Sequence, residues 1–265
     1  MAKLRVDKIA APIVKDEFTG SVYFDGNGDY LSIPTSTDFA LGTNDWTVEW
    51  FAYPTSTTEY QRHFYLEGSS SSNIDGVFAN SSGIAFGRTG VWASSAATNP
   101  LNQWNHYALV HDSTNMRLYI NGVQVLTDSN NFGTDSTKTL NIGYSNSTFG
   151  GYFTGYISNF RVCKGHAVYT ENFTVPTREL PVHKAPPKGV VFPAADNVTV
   201  LLACQSSTDA TAETSERHKI TANGNVHAQS ANPGLLRRTN ISSTITENTG
   251  SVYFDGGDDG LRSTP

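Results

Sequence analysis

The chain has 265 residues and a formal net charge of −6, and only 16% of its residues are charged. This negative balance argues against a surface that binds nucleic acid. No apolar run approaches the roughly 20 residues of a membrane-spanning helix, and the charged N-terminus lacks the apolar centre of a signal peptide. Two cysteines, Cys163 and Cys204, are too few for a disulfide framework. Synthesis in a cytosol is therefore expected, with neither nucleic acid nor membrane as a partner.

The first 18 residues form the first predicted element. Charged and apolar side chains alternate in residues 1–18, but they contain too few apolar atoms to fold alone. We expect a docking arm that becomes ordered against a partner; a frayed terminus is the alternative.

Alternating apolar residues then predict a series of β-strands. Val22 and Phe24 share one face of the first strand, and a turn at 26–28 is expected to return the chain as a hairpin. Aromatic residues on both faces of 46–53 predict a central strand that is buried on both sides. Weaker strand patterns follow at 62–66, 76–79 and 83–87.

The next strands carry the clearest turn signal. Asn121-Gly122 between two alternating apolar runs predicts a hairpin with a type I′ turn, because both residues tolerate positive φ. Further strands are predicted at 104–111, 140–144 and 153–163. No segment has a helical period over three turns. Many short strands with regular turns indicate a sandwich or jelly roll.

A repeated octapeptide divides the chain into modules. Residues 19–26 recur unchanged as residues 249–256, which indicates modular construction. Between the copies lies a proline-rich linker, followed by a strand at 198–204 and a second Asn-Gly hairpin at 223–224. The four regions are a docking arm at 1–18, a jelly roll at 19–178, a linker at 179–194 and a C-terminal β segment at 195–265.

The C-terminal segment has too few apolar residues to bury a core of its own. Its 198–204 strand is expected to pair near 160–163, either in the same chain or in a neighbouring subunit. Exchange between subunits is favoured, because strand addition supplies main-chain hydrogen bonds without a new core and suits a symmetric assembly. Two copies of the octapeptide cannot occupy one position in a sheet.

Four segments resemble laminin-G-like (concanavalin A-like) jelly-roll modules, and they occur in the same order as in that family. They are Gly-Ser-Val-Tyr-Phe-Asp-Gly at 20–26, Trp-Thr-Val-Glu-Trp-Phe-Ala-Tyr-Pro at 46–54, Trp-Asn-His-Tyr-Ala-Leu-Val at 104–110 and Phe-Thr-Gly-Tyr-Ile-Ser-Asn-Phe-Arg-Val at 153–162. The resemblance covers residues 19–180 and implies an all-β fold, an antiparallel jelly-roll sandwich.

Such modules, with Leu-Arg-Val-Asp-Lys-Ile near the N-terminus, resemble structural proteins of marine tailed bacteriophages of the cyanophage type. The resemblance implies a virion protein (a fibre, a knob or a capsid decoration) that is assembled in the host cytoplasm. Its partners would be other virion proteins, bound through the arm, further copies of itself and a glycan of the host surface. A glycan-binding lectin module of a cellular or secreted protein is the alternative.

Catalysis is not expected from the sequence. Glycosidases of this fold class use two close carboxylates, but Glu49 and Glu67 have no acidic partner at a suitable spacing. No histidine cluster with metal-ligand spacing and no Ser/His/Asp triad can be nominated. The fold hosts both binders and enzymes, so the site must decide.

Two candidate binding sites remain. Asp25, Asn27 and Asp29 place oxygens at alternate positions, as a Ca²⁺ loop does, but an Asn-Gly turn with solvated flanks explains them without a metal. Trp92, Tyr144, Phe149 and Tyr152 lie in or beside loops rich in small residues. Exposed aromatic rings there can stack on sugar rings. Isolated surface aromatics are also common without any function. Trp46, Trp50 and Trp104 are expected in the core.

Overall fold

The fold was analysed in a computed structural model, which describes residues 18–56, 58, 60–68, 74–80, 83–88, 91–112, 114–129, 135–146, 151–182 and 198–234. These residues form an all-β sandwich, with a single short 3₁₀ turn at Thr37–Phe39 inside the first described range. The strands, in chain order, are β1 Ser21–Asp25, β2 Tyr30–Ser36, β3 Trp46–Pro54, β4 Phe64–Glu67, β5 Ile74–Asn80, β6 Gly83–Arg88, β7 Val91–Ser95, β8 Asn105–His111, β9 Met116–Ile120, β10 Val123–Asp128, β11 Lys138–Ile142, β12 Thr154–Lys164, β13 Val198–Ala203, β14 Thr221–Asn223 and β15 His227–Gln229.

Two antiparallel sheets face each other across one core. The first sheet has the order β10-β9-β8-β3-β12-β1-β15, and β13 also pairs with β12. The second has the order β14-β2-β11-β4-β5-β6-β7. Alternate residues of each strand point to opposite faces, so Val22 and Phe24 of β1 meet Leu31 and Ile33 of β2 in the core. The all-β jelly-roll prediction is confirmed.

The hairpin predicted at Asn121-Gly122 is present between β9 and β10. Both residues have positive φ, 51° and 79°, as a type I′ turn requires. Two other predicted hairpins are wrong. β1 and β2 belong to different sheets, and so do β14 and β15, so the turns at 26–29 and 224–226 carry the chain from one sheet to the other. A hairpin within one sheet and a crossover between the two sheets give the same apolar alternation, because each directs the same side chains into the core.

Residues 198–229 complete the sandwich of their own chain. β13 pairs with the second half of β12, with Phe160 opposite Ala203 and Lys164 opposite Val198, while β1 pairs with the first half of the same edge. β14 and β15 then cover the outer edges of β2 and β1. Of the two pairings considered for this strand, the structure of the single chain contains the intrachain one. The exchange between subunits that the sequence favours stays a prediction.

The packing of β1 accounts for the residues of the first octapeptide copy. A side chain on Gly20 would meet the backbone of Ser206 at 2.4 Å, so only glycine allows β1 to approach this closely. Val22 and Phe24 are completely buried, and the Ser21 hydroxyl donates to the Ala231 carbonyl. The second copy, the arm before Phe18 and most of the linker lie outside the described residues.

We predict that truncation after Pro193 abolishes cooperative folding. The lost segment buries Val200, Leu201, Leu202, Ile220 and Val226, each worth about 1.5–3 kcal/mol, against a total stability of about 5–15 kcal/mol for a typical domain. Circular dichroism during thermal melting should show no sharp transition. A chain ending at Gly234 is the control and should melt like the full chain. A cooperative melt of the shorter truncation at the full-length temperature would contradict this account.

Candidate functional site

Three tyrosines form a cluster at one end of the sandwich. The rings of Tyr144 and Tyr152 are stacked, with centroids 4.5 Å apart and planes 17° from parallel. Tyr30 lies beside both, with centroids 5.0 Å from Tyr144 and 6.4 Å from Tyr152. All three side chains are half-buried. We call Tyr30, Tyr144 and Tyr152 the tyrosine cluster.

The strands place these rings together. Leu31 of β2 pairs with Ile142 of β11, and both side chains point into the core. Tyr30 precedes Leu31, so the alternation of a strand turns it outwards. Tyr144 lies two residues past Ile142, beyond the end of β11, where Gly143 with a φ of 84° interrupts the alternation. Tyr152 arrives on the loop that leads into β12. Tyr144 and Tyr152 are among the binding residues predicted from the sequence, whereas Tyr30 is not, although its place before the inward-facing Leu31 is a usable signal.

Polar groups surround the cluster. Partial burial raises the pKa of the Tyr144 hydroxyl, and the neighbouring Tyr152 and Tyr30 raise it further. This phenol is therefore a neutral hydrogen-bonding group at physiological pH. The exposed Asn146 donates to the Glu67 carboxylate at 2.7 Å close by. The arrangement can stack on a flat apolar face and hydrogen-bond its edge, and it presents no activated nucleophile.

The remaining nominated aromatics do not join this cluster. Trp92 lies on β7, not on a loop, with its backbone paired to Gly87. β7 is four strands away from β11 in the second sheet, so the backbone positions of Trp92 and Tyr144 belong to distant parts of the sandwich. Phe149 lies outside the described residues. Trp46 and Trp50 are buried as expected, whereas Trp104 is half-buried on the outer face of the first sheet.

The proposed Ca²⁺ ligands hold turns together. Asp29 is completely buried; its carboxylate accepts from the backbone N–H of Asp25 at 3.0 Å and from that of Asn225 at 2.5 Å. The Asp25 carboxylate accepts from the N–H of Asn27 at 2.7 Å. A cation beside Asp29 would face N–H donors, which repel it, so these residues do not fit a Ca²⁺ site in this geometry. No group of three or more potential metal ligands occurs within the described ranges.

Glu49 is buried in an ion-pair network. Its Oε1 accepts from Nε of Arg161 at 2.9 Å and also from Nη2. Its Oε2 contacts Nε2 of His106 at 3.1 Å and accepts from the Tyr169 hydroxyl at 2.8 Å. Burial alone would raise the pKa of Glu49, but Arg161 and His106 outweigh it and lower the pKa to about 2. A carboxylate enclosed in this way supports the packing of residues 165–181 on the first sheet and does not face a ligand.

His63 is another buried titratable group of the core. The Trp50 indole N–H donates to its Nδ1 at 2.9 Å, and the ring lies edge-on to Tyr107 and Phe153. Burial lowers the pKa of His63 to about 3. The imidazole is therefore neutral in the folded protein over the whole physiological range.

The chain belongs to the concanavalin A-like lectin/glucanases superfamily, since the family model matches residues 25–167, more than half of the chain. No curated protein matches it. Among the described residues, no helix is long and apolar enough to cross a membrane.

Two solved structures illustrate the fold. A protein of Bacteroides ovatus described as a candidate carbohydrate-binding protein is 18% identical, with a TM-score of 0.59 over 82% of this chain and 61% of that one. The chain thus spans less than two thirds of that relative. The heptameric SAP-like pentraxin of Limulus polyphemus is 14% identical, with a TM-score of 0.53 over 82% of this chain and 97% of that one. At these identities the likeness concerns the fold alone.

We predict a loss of stability in two stages on acidification. The pKa of His63 is lowered from 6.5 to about 3 by folding, so the unfolded state binds a proton first. The free energy of unfolding should fall below pH 6.5 by up to about 1.4 kcal/mol per pH unit. Glu49, with its pKa lowered from 4.5 to about 2, adds its own loss below pH 4.5.

Urea unfolding between pH 7.5 and 3.5 measures this slope. His63→Gln keeps a hydrogen-bond acceptor but does not titrate, so it should flatten the curve between pH 6.5 and 4.5. His166→Gln, at an exposed position, is the matched control and should leave the slope unchanged. An NMR titration in which the His63 ring gains its proton near pH 6.5 would show the assignment to be wrong.

Proposed function

We propose that this protein is a non-enzymatic structural protein of a tailed-phage virion, a fibre, knob or capsid decoration, which binds a host-surface glycan through the tyrosine cluster. It would act in the assembled particle, after synthesis in the host cytoplasm. The observation that supports this proposal most directly is the grouping of Tyr30, Tyr144 and Tyr152. Their rings are half-buried at one end of the sandwich, and two of them are stacked.

The chemistry of the cluster supports a saccharide ligand. Aromatic rings offer an apolar face to the C–H groups of a pyranose, and their hydroxyls bind its polar rim. Asn146 and Glu67 add an amide and a carboxylate at the same place. The Bacteroides ovatus relative, which shares the fold, is described as carbohydrate-binding, and this agrees with the proposal without identifying a sugar.

The absence of catalysis in this proposal is supported by Glu49. The family includes glucanases, and a strand carboxylate facing a cleft would be the first candidate for their chemistry. Here the carboxylate is completely buried and held by Arg161, His106 and Tyr169. Its lowered pKa keeps it ionised, so it cannot serve as a general acid.

Attachment to the particle is proposed for the two terminal segments, residues 1–17 and 235–265, which lie outside the described residues. Phe18 is buried against Phe51, with ring centroids 4.8 Å apart, and Gly234 lies beside the Phe18 ring. Phe18 and Gly234, the first and the last of the described residues, therefore lie at one place on the first sheet. We assign the arm to other virion proteins and the second octapeptide to a further module, most simply that of a neighbouring copy in a homo-oligomer.

A lectin module of a cellular or secreted protein is the second candidate, and it would use the same cluster. The shared fold with the Bacteroides ovatus and Limulus polyphemus proteins favours it. The phage proposal rests instead on the resemblance of the N-terminal sequence and of the module to phage structural proteins. Presence in purified particles distinguishes the two.

For the cluster, we predict that Tyr144→Ala weakens saccharide binding about tenfold or more, because it removes one ring of the stacked pair. The test is a glycan array followed by titration calorimetry of the best saccharide. Tyr144→Phe keeps the ring and should retain most of the affinity. Equal affinity of the wild type and of folded Tyr144→Ala would contradict the assignment of the site.

For the arm, we predict that deletion of residues 1–17 leaves the melting temperature unchanged and removes the protein from particles. The deletion stops before Phe18, because that side chain belongs to the packed sandwich. Quantitative mass spectrometry of purified particles provides the measurement, with the full chain as the reference. Full occupancy by the truncated protein would show that the anchor lies elsewhere, and absence of the full chain from all particles would favour the lectin.

A further inference from the structure

A row of aromatic side chains crosses the outer face of the first sheet. His227 of β15 lies opposite Tyr23 of β1, Tyr23 opposite Tyr156 of β12, and Tyr156 opposite Tyr53 of β3. Trp104, directly before β8, continues the row beside Tyr53. Neighbouring ring centroids are 5.0–5.9 Å apart. We call these five side chains the aromatic ladder.

The ladder occupies the part of this face that the described residues leave open. Further along the same strands, residues 167–173 cover Ala108, Val110 and Tyr119, and Phe18 covers Phe51. The four aromatic rings of the ladder other than His227 are half-buried, and His227 is exposed. The uncovered area is thus an aromatic shelf, bordered on one side by residues 167–173, in which the planes of neighbouring rings are inclined by 50–81°.

Hydrogen-bonding groups accompany the rings. The hydroxyls of Tyr23, Tyr53 and Tyr156 make no hydrogen bond with the described part of the chain. Beyond the open side of the shelf, the exposed Asp25 lies opposite Thr154. Both follow the strand alternation of Tyr23 and Tyr156, so they share the outer face. These groups suit the hydroxyl edge of a neutral sugar better than an aliphatic protein surface.

We propose that the aromatic ladder binds an extended neutral oligosaccharide laid across the strands. Five adjacent strands separated by about 4.8 Å make a shelf roughly 19 Å long, which fits about four pyranose units. Aromatic faces contact the sugar rings, while the tyrosine hydroxyls and Asp25 hold the sugar hydroxyls. This site is separate from the tyrosine cluster; it deepens the proposed function by adding recognition of chain length, and it rests on that function only for the class of ligand.

The length of the oligosaccharide is the variable that tests this proposal. Titration calorimetry of the full chain would use β-1,3-glucan and β-1,4-mannan oligosaccharides of one to eight units as probes. The dissociation constant should fall with each unit up to about four or five and then level off. Affinity that does not change with length in either series, or no binding of either series, would overturn the proposal.

Variants separate the two sites. Tyr156 contacts Tyr23, Tyr53 and Trp104, so Tyr156→Ala should weaken binding of the tetrasaccharide about tenfold or more and leave the monosaccharide unaffected. Tyr144→Ala should do the reverse. Loss of tetrasaccharide binding in Tyr144→Ala alone would refute the ladder and keep the proposed function. Loss in Tyr156→Ala alone, with no effect of Tyr144→Ala on any saccharide, would refute the cluster and keep the ladder.

Tryptophan fluorescence gives a second test of the ladder, which does not depend on whether Tyr156→Ala folds. Trp104 ends the ladder, whereas Trp46 and Trp50 are completely buried. The tetrasaccharide should change the tryptophan emission of the wild type, and Trp104→Phe should abolish that change while preserving the fold. An unchanged response in folded Trp104→Phe would contradict the proposal. So would a Tyr156→Ala protein that loses self-association or particle attachment but keeps its saccharide affinity, because the ladder would then be a protein interface.

Discussion

The carboxylate of Asp29 holds together two of the places where the chain passes from one sheet to the other. One crossover follows β1 and the other follows β14, and Asp29 accepts backbone N–H groups from both. Hydrogen bonds to a buried charge are worth about 1.5–3 kcal/mol each. Gly224 makes the contact possible, since its φ is +74° and a side chain there would meet the Asp29 carboxylate at 2.4 Å. This clasp joins chain segments nearly 200 residues apart, and it fixes β14 beside β2 and β15 beside β1.

Both aromatic surfaces depend on that clasp. Tyr30 follows Asp29 directly, so the position of the crossover sets the position of the ring that completes the tyrosine cluster. His227 enters the ladder because β15 pairs with β1. The same pairing covers an edge that would otherwise be open to aggregation. The C-terminal strands β14 and β15 thus cover the sheet edges and shape the surface. A module that ended after β12 would leave those edges open.

The sequence predicts individual strands and turns better than it predicts which strands pair with one another. The alternation at 46–53 and the turn at Asn121-Gly122 identify β3 and the β9–β10 hairpin, because local backbone preference and burial agree there. The same reasoning misjudges Asn223-Gly224, since a turn within one sheet and a crossover between sheets put the same side chains in the core. Trp104 is misplaced for a related reason: burial of an aromatic residue depends on which strand lies next to it, and a single sequence does not state that.

The candidate sites show the same limit. Tyr144 and Tyr152 are recognisable from their shared loop. The ladder instead assembles side chains from four strands and from the residue before a fifth, and the order of these strands along the sheet differs from their order along the chain. Its existence depends on register, because a slip by one residue in β12 would turn Tyr156 inwards and Ile157 outwards. Burial of Val22, Phe24 and Ile157 fixes that register. The burial of core side chains that drives folding therefore also aligns the outward-facing rings of the ladder. Contacts between these rings are not needed to form the row.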